Sequence, residues 1–244
     1  MPTQHHGRIV WREIIVRDVP AAATFFQDLF GWTIDSMPGP TGDYTLGVID
    51  GLARSGIVPT TVFGDMNLVP QTILYISVDD LEVARRTIAE FGGVERNERI
   101  DMPGIGSHVL VQDPVGALYY CMQPADLSAD PIEPPRPSFG NWHWYDANTR
   151  DVARTKAYYA AVHGWTYQES STPDVYTNMS NQLGPFGGVM DMSDPMWGDM
   201  ETHHMTYIKV EDIDATCARV RALGGKVDMD PFAVPNVGRL TVCR

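Results

Sequence analysis

The chain has 244 residues, 43% hydrophobic and 20% charged, enough for two domains of about 100–150 residues that each bury a core. Its formal charge of -13, with no basic cluster to override it, repels a phosphate backbone and argues against nucleic-acid binding. No run approaches the ~20 apolar residues that span a bilayer and the N-terminus lacks a hydrophobic signal core, so the expected compartment is the cytoplasm.

Residues 8–17 alternate and are β-branched, which predicts a strand with Trp11, Glu13, Ile15 and Arg17 on one face. Asp18 is placed to cap a helix with Pro20 in its first turn and Gly31 at its end. Short strands are predicted near 32–35, 43–49 and 53–58, broken by Pro38-Gly39-Pro40 and Asp50-Gly51. The pattern then repeats: a strand at 72–78, a helix from Asp80 to Phe91, a left-handed stop at Gly92-Gly93, and strands near 94–98, 106–112 and 117–122. Asp113-Pro-Val-Gly116 reads as the turn before the last of these, and residues 125–138, with four prolines, read as a semi-rigid linker.

The second half restates the first. Trp11-Arg12-Glu13, Asp18, Phe25-Phe26 and Gly31-Trp32 return 133 positions later as Trp144-Tyr145-Asp146, Asp151, Tyr158-Tyr159 and Gly164-Trp165. Tyr75, Val78, Asp80, Gly92-Gly93, Pro103 and Gly106 return 132 positions later as Tyr207, Val210, Asp212, Gly224-Gly225, Pro235 and Gly238. Such a period marks a duplicated domain rather than a solenoid. The chain therefore divides into residues 1–124 and 139–244, each holding two βαβββ units of about sixty residues. The segment Gly238-Arg-Leu-Thr-Val-Cys-Arg244 stops where the first half continues into its last strand, and a missing tail is the expectation.

A paired βαβββ architecture that opens strand-Asp-helix-Phe-Gly-Trp and carries Asp-Pro-x-Gly before its last strand resembles the vicinal oxygen chelate superfamily, the glyoxalase, bleomycin-resistance and extradiol dioxygenase group. Trp11-x-Glu13 with Phe30-Gly31-Trp32, and its duplicate, more narrowly resembles two-domain actinobacterial glyoxalase-like proteins labelled as hydroxylases. The resemblance implies an α+β fold of tandem βαβββ repeats, two glyoxalase-like domains that are each an open, cup-shaped β-sheet with flanking helices. It also implies a divalent metal at the base of each cup. Carried over, the two imidazole positions fall on Trp11 and Ile73 in the first half and on Trp144 and Met205 in the second. The carboxylate position falls on Tyr120, and its second-half partner is absent from the sequence. An indole N–H only donates and a thioether is soft, so neither cup is expected to hold a metal, and no cofactor is expected. The three cysteines share no CxxC spacing and read as small buried hydrophobes.

Strand alternation puts Trp11 with Glu13 and Trp144 with Asp146 on one side. The resemblance makes that side the cup interior, together with Tyr75 and Ser77 in one half and Tyr207 and Lys209 in the other. A carboxylate against indole has its charged form disfavoured, which suits Glu13 or Asp146 to proton transfer with Tyr75 or Tyr207. Trp11, Trp144, Tyr120, Ile73, Met205 and His203 are then the candidate ligand-binding side chains. The competing reading makes all of these ordinary pocket or core residues, with Glu13 paired to a neighbour such as Arg17.

His203-His204 is expected at the exposed start of a strand, where His203, two before Met205, could supply a ligand. His5-His6 is expected in a mobile terminus, His108 and His143 at satisfied core or edge positions, and His163 as a cation at a helix C-terminus. Met190, Met192, Met196 and Met200 with Trp197 form either a lid over the second cup or a loop packed on its own domain. Three functions stay open. The first is metal-independent acid–base chemistry of an isomerase, lyase or hydration type on a small organic metabolite. The second is sequestration of such a compound without turnover, and the third a metal-dependent lyase or dioxygenase whose ligands a register slip would hide. The expected partner is a small-molecule ligand or substrate, with no nucleic acid and no membrane, and a homodimer is allowed.

Overall fold

Each of the four junction aspartates caps a helix by accepting the backbone N–H three residues on, in a computed structural model that describes residues 5–39, 42–127, 138–170, 175–235 and 237–244. Asp18 holds Ala21 at 2.9 Å and opens α1 (Val19–Phe30); Asp80 holds Val83 at 2.9 Å and opens α2 (Leu81–Glu90). Asp151 holds Arg154 at 3.0 Å and opens α3 (Val152–His163); Asp212 holds Ala215 at 2.9 Å and opens α4 (Ile213–Ala222). Gly31 and Gly164 end α1 and α3 in the left-handed conformation, φ 73° and 66°, which a side chain would strain.

The strands of the first half are β1 (Ile9–Val16), β2 (Thr33–Gly39), β3 (Gly42–Ile49), β4 (Leu52–Pro59), β5 (Gln71–Ser77), β6 (Val94–Glu95), β7 (Ile100–Met102), β8 (Gly106–Gln112) and β9 (Leu118–Pro124). Those of the second are β10 (Trp142–Thr149), β11 (Thr166–Glu169), β12 (Tyr176–Asn181), β13 (Gly184–Asp191), β14 (His203–Ile208), β15 (Val227–Val234) and β16 (Gly238–Cys243). Two expectations need correction. β2 does not break at Pro38-Gly39 but pairs with β3 through Pro38↔Asp43, because it is an edge strand where a missing N–H costs no ladder bond. The stretch expected as one strand at 94–98 becomes β6 and, further on, β7, both paired to β8. Of the linker, residues 128–137 lie outside the described residues.

By packing, the chain forms two compact units. The first gathers the chain up to Glu13, the second βαβββ repeat from Thr72, and His143–Tyr207; the second gathers Ile14–Gln71, the segment ending at Trp142, and Ile208–Arg244. In the first unit β5, β9, β8 and β6 lie side by side in that order, β5 and β9 being parallel, and another open sheet runs β11-β12-β13-β10-β14. In the second, β2-β3-β4 form consecutive antiparallel pairs and β15 pairs with β16.

Each unit carries the same signature bond with its partners exchanged. In the second unit Trp32, 2% exposed, donates its indole N–H to the Gly140 carbonyl at 2.7 Å and stacks on Phe26. In the first, Trp165, also 2% exposed, donates to the Gly7 carbonyl at 2.7 Å and stacks on Tyr159. Gly7 and Gly140 stand 133 positions apart, as do Trp32 and Trp165, so each half's tryptophan is satisfied by the opening of the other. Glycine makes a matching pair of contacts: a Cβ on Gly93 would lie 2.7 Å from the Tyr158 hydroxyl, and one on Gly225 would lie 3.1 Å from the Phe25 ring. Burying an indole N–H without an acceptor would cost roughly 1–3 kcal/mol, so these carbonyls are part of what holds each unit together.

Candidate functional site

Asp146 lies in β10, directly across from Gly188 in the parallel neighbour β13. It is 3% exposed. Tyr176, at the start of β12, donates its hydroxyl to Oδ1 at 2.6 Å, and Tyr207 of β14 donates to Oδ2 at 2.8 Å. The Trp144 indole N–H in turn donates to the Tyr176 oxygen at 2.6 Å. Burial disfavours the charged carboxylate more strongly than these donors favour it, and raises the Asp146 pKa from 3.8 to about 6. The phenols are pushed above their usual range, first by burial and then by the adjacent carboxylate.

The strand pairing also dictates the glycine. A Cβ on Gly188 would stand 2.0 Å from the Tyr176 ring, so the phenol reaches Asp146 only because β13 has no side chain there. Tyr176 was not among the sequence candidates. Its signal was the repeat: Tyr44 precedes it by 132 positions, Gly56 precedes Gly188 by the same interval, and a Cβ on Gly56 would stand 1.9 Å from the Tyr44 hydroxyl.

In the first half Glu13 of β1 is buried and accepts the Tyr75 hydroxyl of β5 at 3.0 Å. Tyr120 of β9 stacks on Tyr75 with ring centroids 4.2 Å apart, and His108 of β8 meets both rings edge-on. Burial lowers the His108 pKa to about 4, so its ring is neutral near pH 7, and its Nδ1 is buried without a hydrogen-bond partner, contrary to the satisfied histidine expected. This carboxylate is thus packed among aromatic side chains, whereas Trp144, Tyr176 and Tyr207 around Asp146 are half-buried.

The remaining candidates are placed as follows. Trp11 and Met205 are half-buried, and Ile73 is fully buried. His203 is half-buried, with Nε2 3.0 Å from the Asn148 amide and Nδ1 2.8 Å from the Glu201 carbonyl. Ser77 bonds the backbone of His5 and Arg8, and Lys209 lies over the Phe139 ring. The Met-rich stretch is mixed: Met192 is fully buried while Met196 and Met200 are exposed.

Several histidine expectations are overturned by burial. His204 is buried rather than at an exposed strand start, bonds the Tyr159 hydroxyl at 2.8 Å, and has its pKa lowered to about 4. His163 is buried too, which drives its pKa well below the usual value and leaves no helix-terminal cation. His5 is buried in a segment tied to β5 by Gly7 N–H to Ser77 O and Ser77 N–H to Arg8 O, each 2.8 Å, so it is not in a loose terminus. Among the cysteines, Cys243 is exposed rather than buried.

The metal positions that the resemblance implies hold Trp11, Ile73 and Tyr120 in one half and Trp144 and Met205 in the other, a set without imidazole or carboxylate. Among the described residues no three His, Cys, Asp or Glu side chains gather into a group that could hold a metal ion. Indole, aliphatic, thioether and phenol side chains at these positions do not fit a divalent metal of this class. Among the described residues no helix is long and apolar enough to cross a membrane.

A family profile described as Glyoxalase/Bleomycin resistance protein/Dioxygenase superfamily matches residues 142–244, and one described as Bleomycin resistance protein-like N-terminal matches residues 8–46. CFP32 of Mycobacterium tuberculosis, named a glyoxylase only provisionally, is 29% identical over 95% of this chain and 88% of its own. The anthracycline biosynthesis protein DnrV of Streptomyces peucetius is 24% identical over 94% of this chain and 86% of its own. The Mn(II)-bound glyoxalase from Novosphingobium aromaticivorans shares the fold with a TM-score of 0.59 at 12% identity, covering 95% of this chain and 75% of its own. An extradiol ring-cleaving dioxygenase from B. fuscum does so with a TM-score of 0.61 at 14% identity, covering 100% and 73%. With its repeated βαβββ units, its open sheets and these matches in both halves, the chain belongs to the vicinal oxygen chelate superfamily.

Proposed function

We propose that the protein acts on a small organic metabolite at Asp146, by acid–base chemistry that uses no metal. The observation that carries this reading is a buried carboxyl whose pKa is raised to about 6 and whose two oxygens are held by the half-buried phenols of Tyr176 and Tyr207. A group that titrates near neutral pH can both take and return a proton within one turnover. In the proposed step an acidic C–H or O–H of the ligand gives its proton to the Tyr207 oxygen as the Tyr207 proton passes to Asp146. The return transfer delivers it to a different ligand atom, which is an isomerisation, or completes an elimination or hydration. Trp144, Met205 and His203 would line the ligand on this side. Glu13 with Tyr75 is the duplicated pair, with Trp11, Ile73 and Tyr120 around it, in a reading that treats residues 1–124 and 139–244 as copies of one domain.

A second reading is sequestration without turnover. It is favoured by the same hydrogen bonds, because a carboxylate already accepting two phenols is a firm anchor and a reluctant base, and by the bleomycin-resistance profile on residues 8–46. A thermal-shift screen against aldehydes, thiohemiacetals and polyketide-like aromatics finds the ligand class. For a ligand so found, Asp146→Asn should lower turnover at least 100-fold while binding stays within a few-fold, the usual reach of general acid–base catalysis. A ligand that binds both forms alike and is never converted by the wild type would leave sequestration as the function.

A further inference from the structure

Two residues beyond Asp146 on β10, and so on the same face of the strand, stands Asn148, 2% exposed. Its amide nitrogen lies 3.0 Å from His203 Nε2, and His203 Nδ1 lies 2.8 Å from the Glu201 carbonyl. A carbonyl oxygen only accepts, so Nδ1 carries the proton of the neutral ring and Nε2 presents its lone pair. That tautomer fixes the amide: Asn148 turns its nitrogen, not its oxygen, toward His203. One amide N–H is thereby committed to the imidazole, and the other has no partner among the described residues. Duplication does not explain the pair, because the first half carries Ile15, 1% exposed, and Gln71 at the corresponding positions. A buried amide costs free energy unless its hydrogen bonds are made, and the other copy fills the same place with an aliphatic side chain. The second half therefore holds, on one strand face, a carboxyl with its phenols and, two residues on, a fixed N–H donor.

We propose that the second Asn148 N–H receives the carbonyl oxygen of an enolisable ketone or aldehyde, and that His203 is the positioning residue that aims it. The proposal rests on the acid–base reading of Asp146 and names its substrate class. Residues two apart on a strand stand about 7 Å apart, a span that fits a carbonyl group and its neighbouring C–H held at opposite ends. The C–H gives its proton to the Tyr207 oxygen as the Tyr207 proton passes to Asp146. Its electron pair forms the C=C bond, and the carbonyl π pair moves onto oxygen. The enolate oxygen then accepts a stronger hydrogen bond from Asn148 than the ketone did. Return of the proton to the same carbon is exchange, and its return to a more distant carbon of a conjugated enolate is isomerisation, with no net oxidation or reduction. The rings of Trp144, Tyr176 and Tyr207 stand around Asp146, which suits a planar ring ketone.

The test incubates the full chain with 2-tetralone, a planar bicyclic ketone, in deuterated buffer near neutral pH and follows loss of the α C–H signals by proton NMR. The wild type should exchange them faster than buffer alone, and Asp146→Asn should not. Asn148→Ala should lower kcat for exchange by about 100-fold with KM changed only a few-fold, because the donor acts on the enolate more than on the ketone. His203→Ala should lower kcat by a smaller factor, and His203→Gln, whose carbonyl can accept the same amide N–H, should restore it. Should Asn148→Ala fail to fold, the two His203 variants decide, and equal rates for them would overturn the proposal. Exchange lost in Asp146→Asn but undiminished in Asn148→Ala would overturn this inference and leave the acid–base reading standing, whereas exchange that survives Asp146→Asn would overturn both. A wild type no faster than buffer would overturn the ketone assignment alone.

Discussion

Replacing Asp146 by Asn should remove a pH dependence from the stability of the fold. The folded chain holds the Asp146 proton up to about pH 6, against 3.8 for an ordinary aspartate, because burial disfavours the charge. A raised pKa stabilises the native state fully while both states are protonated, and that stabilisation is lost as pH rises from about 4 through about 6. At about 1.4 kcal/mol per tenfold change in ionisation, the interval amounts to about 3 kcal/mol. Asn keeps the shape of the side chain and can still accept from one phenol and donate to the other oxygen, so the site should remain packed. The assay is urea unfolding of both proteins at closely spaced pH values between about 4 and about 8, with the wild type minus Asp146→Asn difference plotted against pH. Carboxylates common to both cancel. The difference should fall by about 3 kcal/mol across the window and then stay level, and two parallel curves would show that Asp146 titrates as an ordinary surface acid.

Gly188→Ala should cost about 1–3 kcal/mol, because the new methyl would meet the Tyr176 ring, and the cost should shrink when Tyr176 is also changed to Ala; a double-mutant cycle measures that coupling. His204 shifts stability the other way: its pKa is lowered from 6.5 to about 4, so the stability it protects is present above about 6.5 and lost as pH falls through about 4, and His204→Gln should flatten that acid limb by about 3 kcal/mol in unfolding experiments. Trp165→Phe should leave the Gly7 carbonyl without its indole donor and lower stability by roughly 1–3 kcal/mol, read by calorimetry, with fewer protected amides in β5, where Gly7 is anchored to Ser77.

Much of the candidate site was legible as pairs of residues, and less of it as an assembly. Strand alternation put Trp144 beside Asp146, and the duplication supplied Tyr207 as the partner of Tyr75, because both follow from positions within or between copies of one unit. Tyr176 was missed although Tyr44 foreshadowed it. A tyrosine opening a short strand has no local mark to set it apart, and its role depends on a glycine twelve positions away in the neighbouring strand. The histidines were misjudged for a related reason. Helix and strand position says which groups lie nearby along the chain, while the neutral state of His163 and His204 comes from what packs over them, Tyr119, Tyr159 and Trp165 among them.

What the sequence determined alone is the set of local units. Four aspartates cap four helices, and Gly31 and Gly164 close two of them, because caps and turns are settled by residues within about four positions of one another. Tertiary structure decided which units pack together. Trp32 finds its acceptor 108 positions away at Gly140 and Trp165 finds its own 158 positions away at Gly7. A buried N–H takes whichever carbonyl the packed chains bring to it, and no periodicity along one strand or helix encodes that choice.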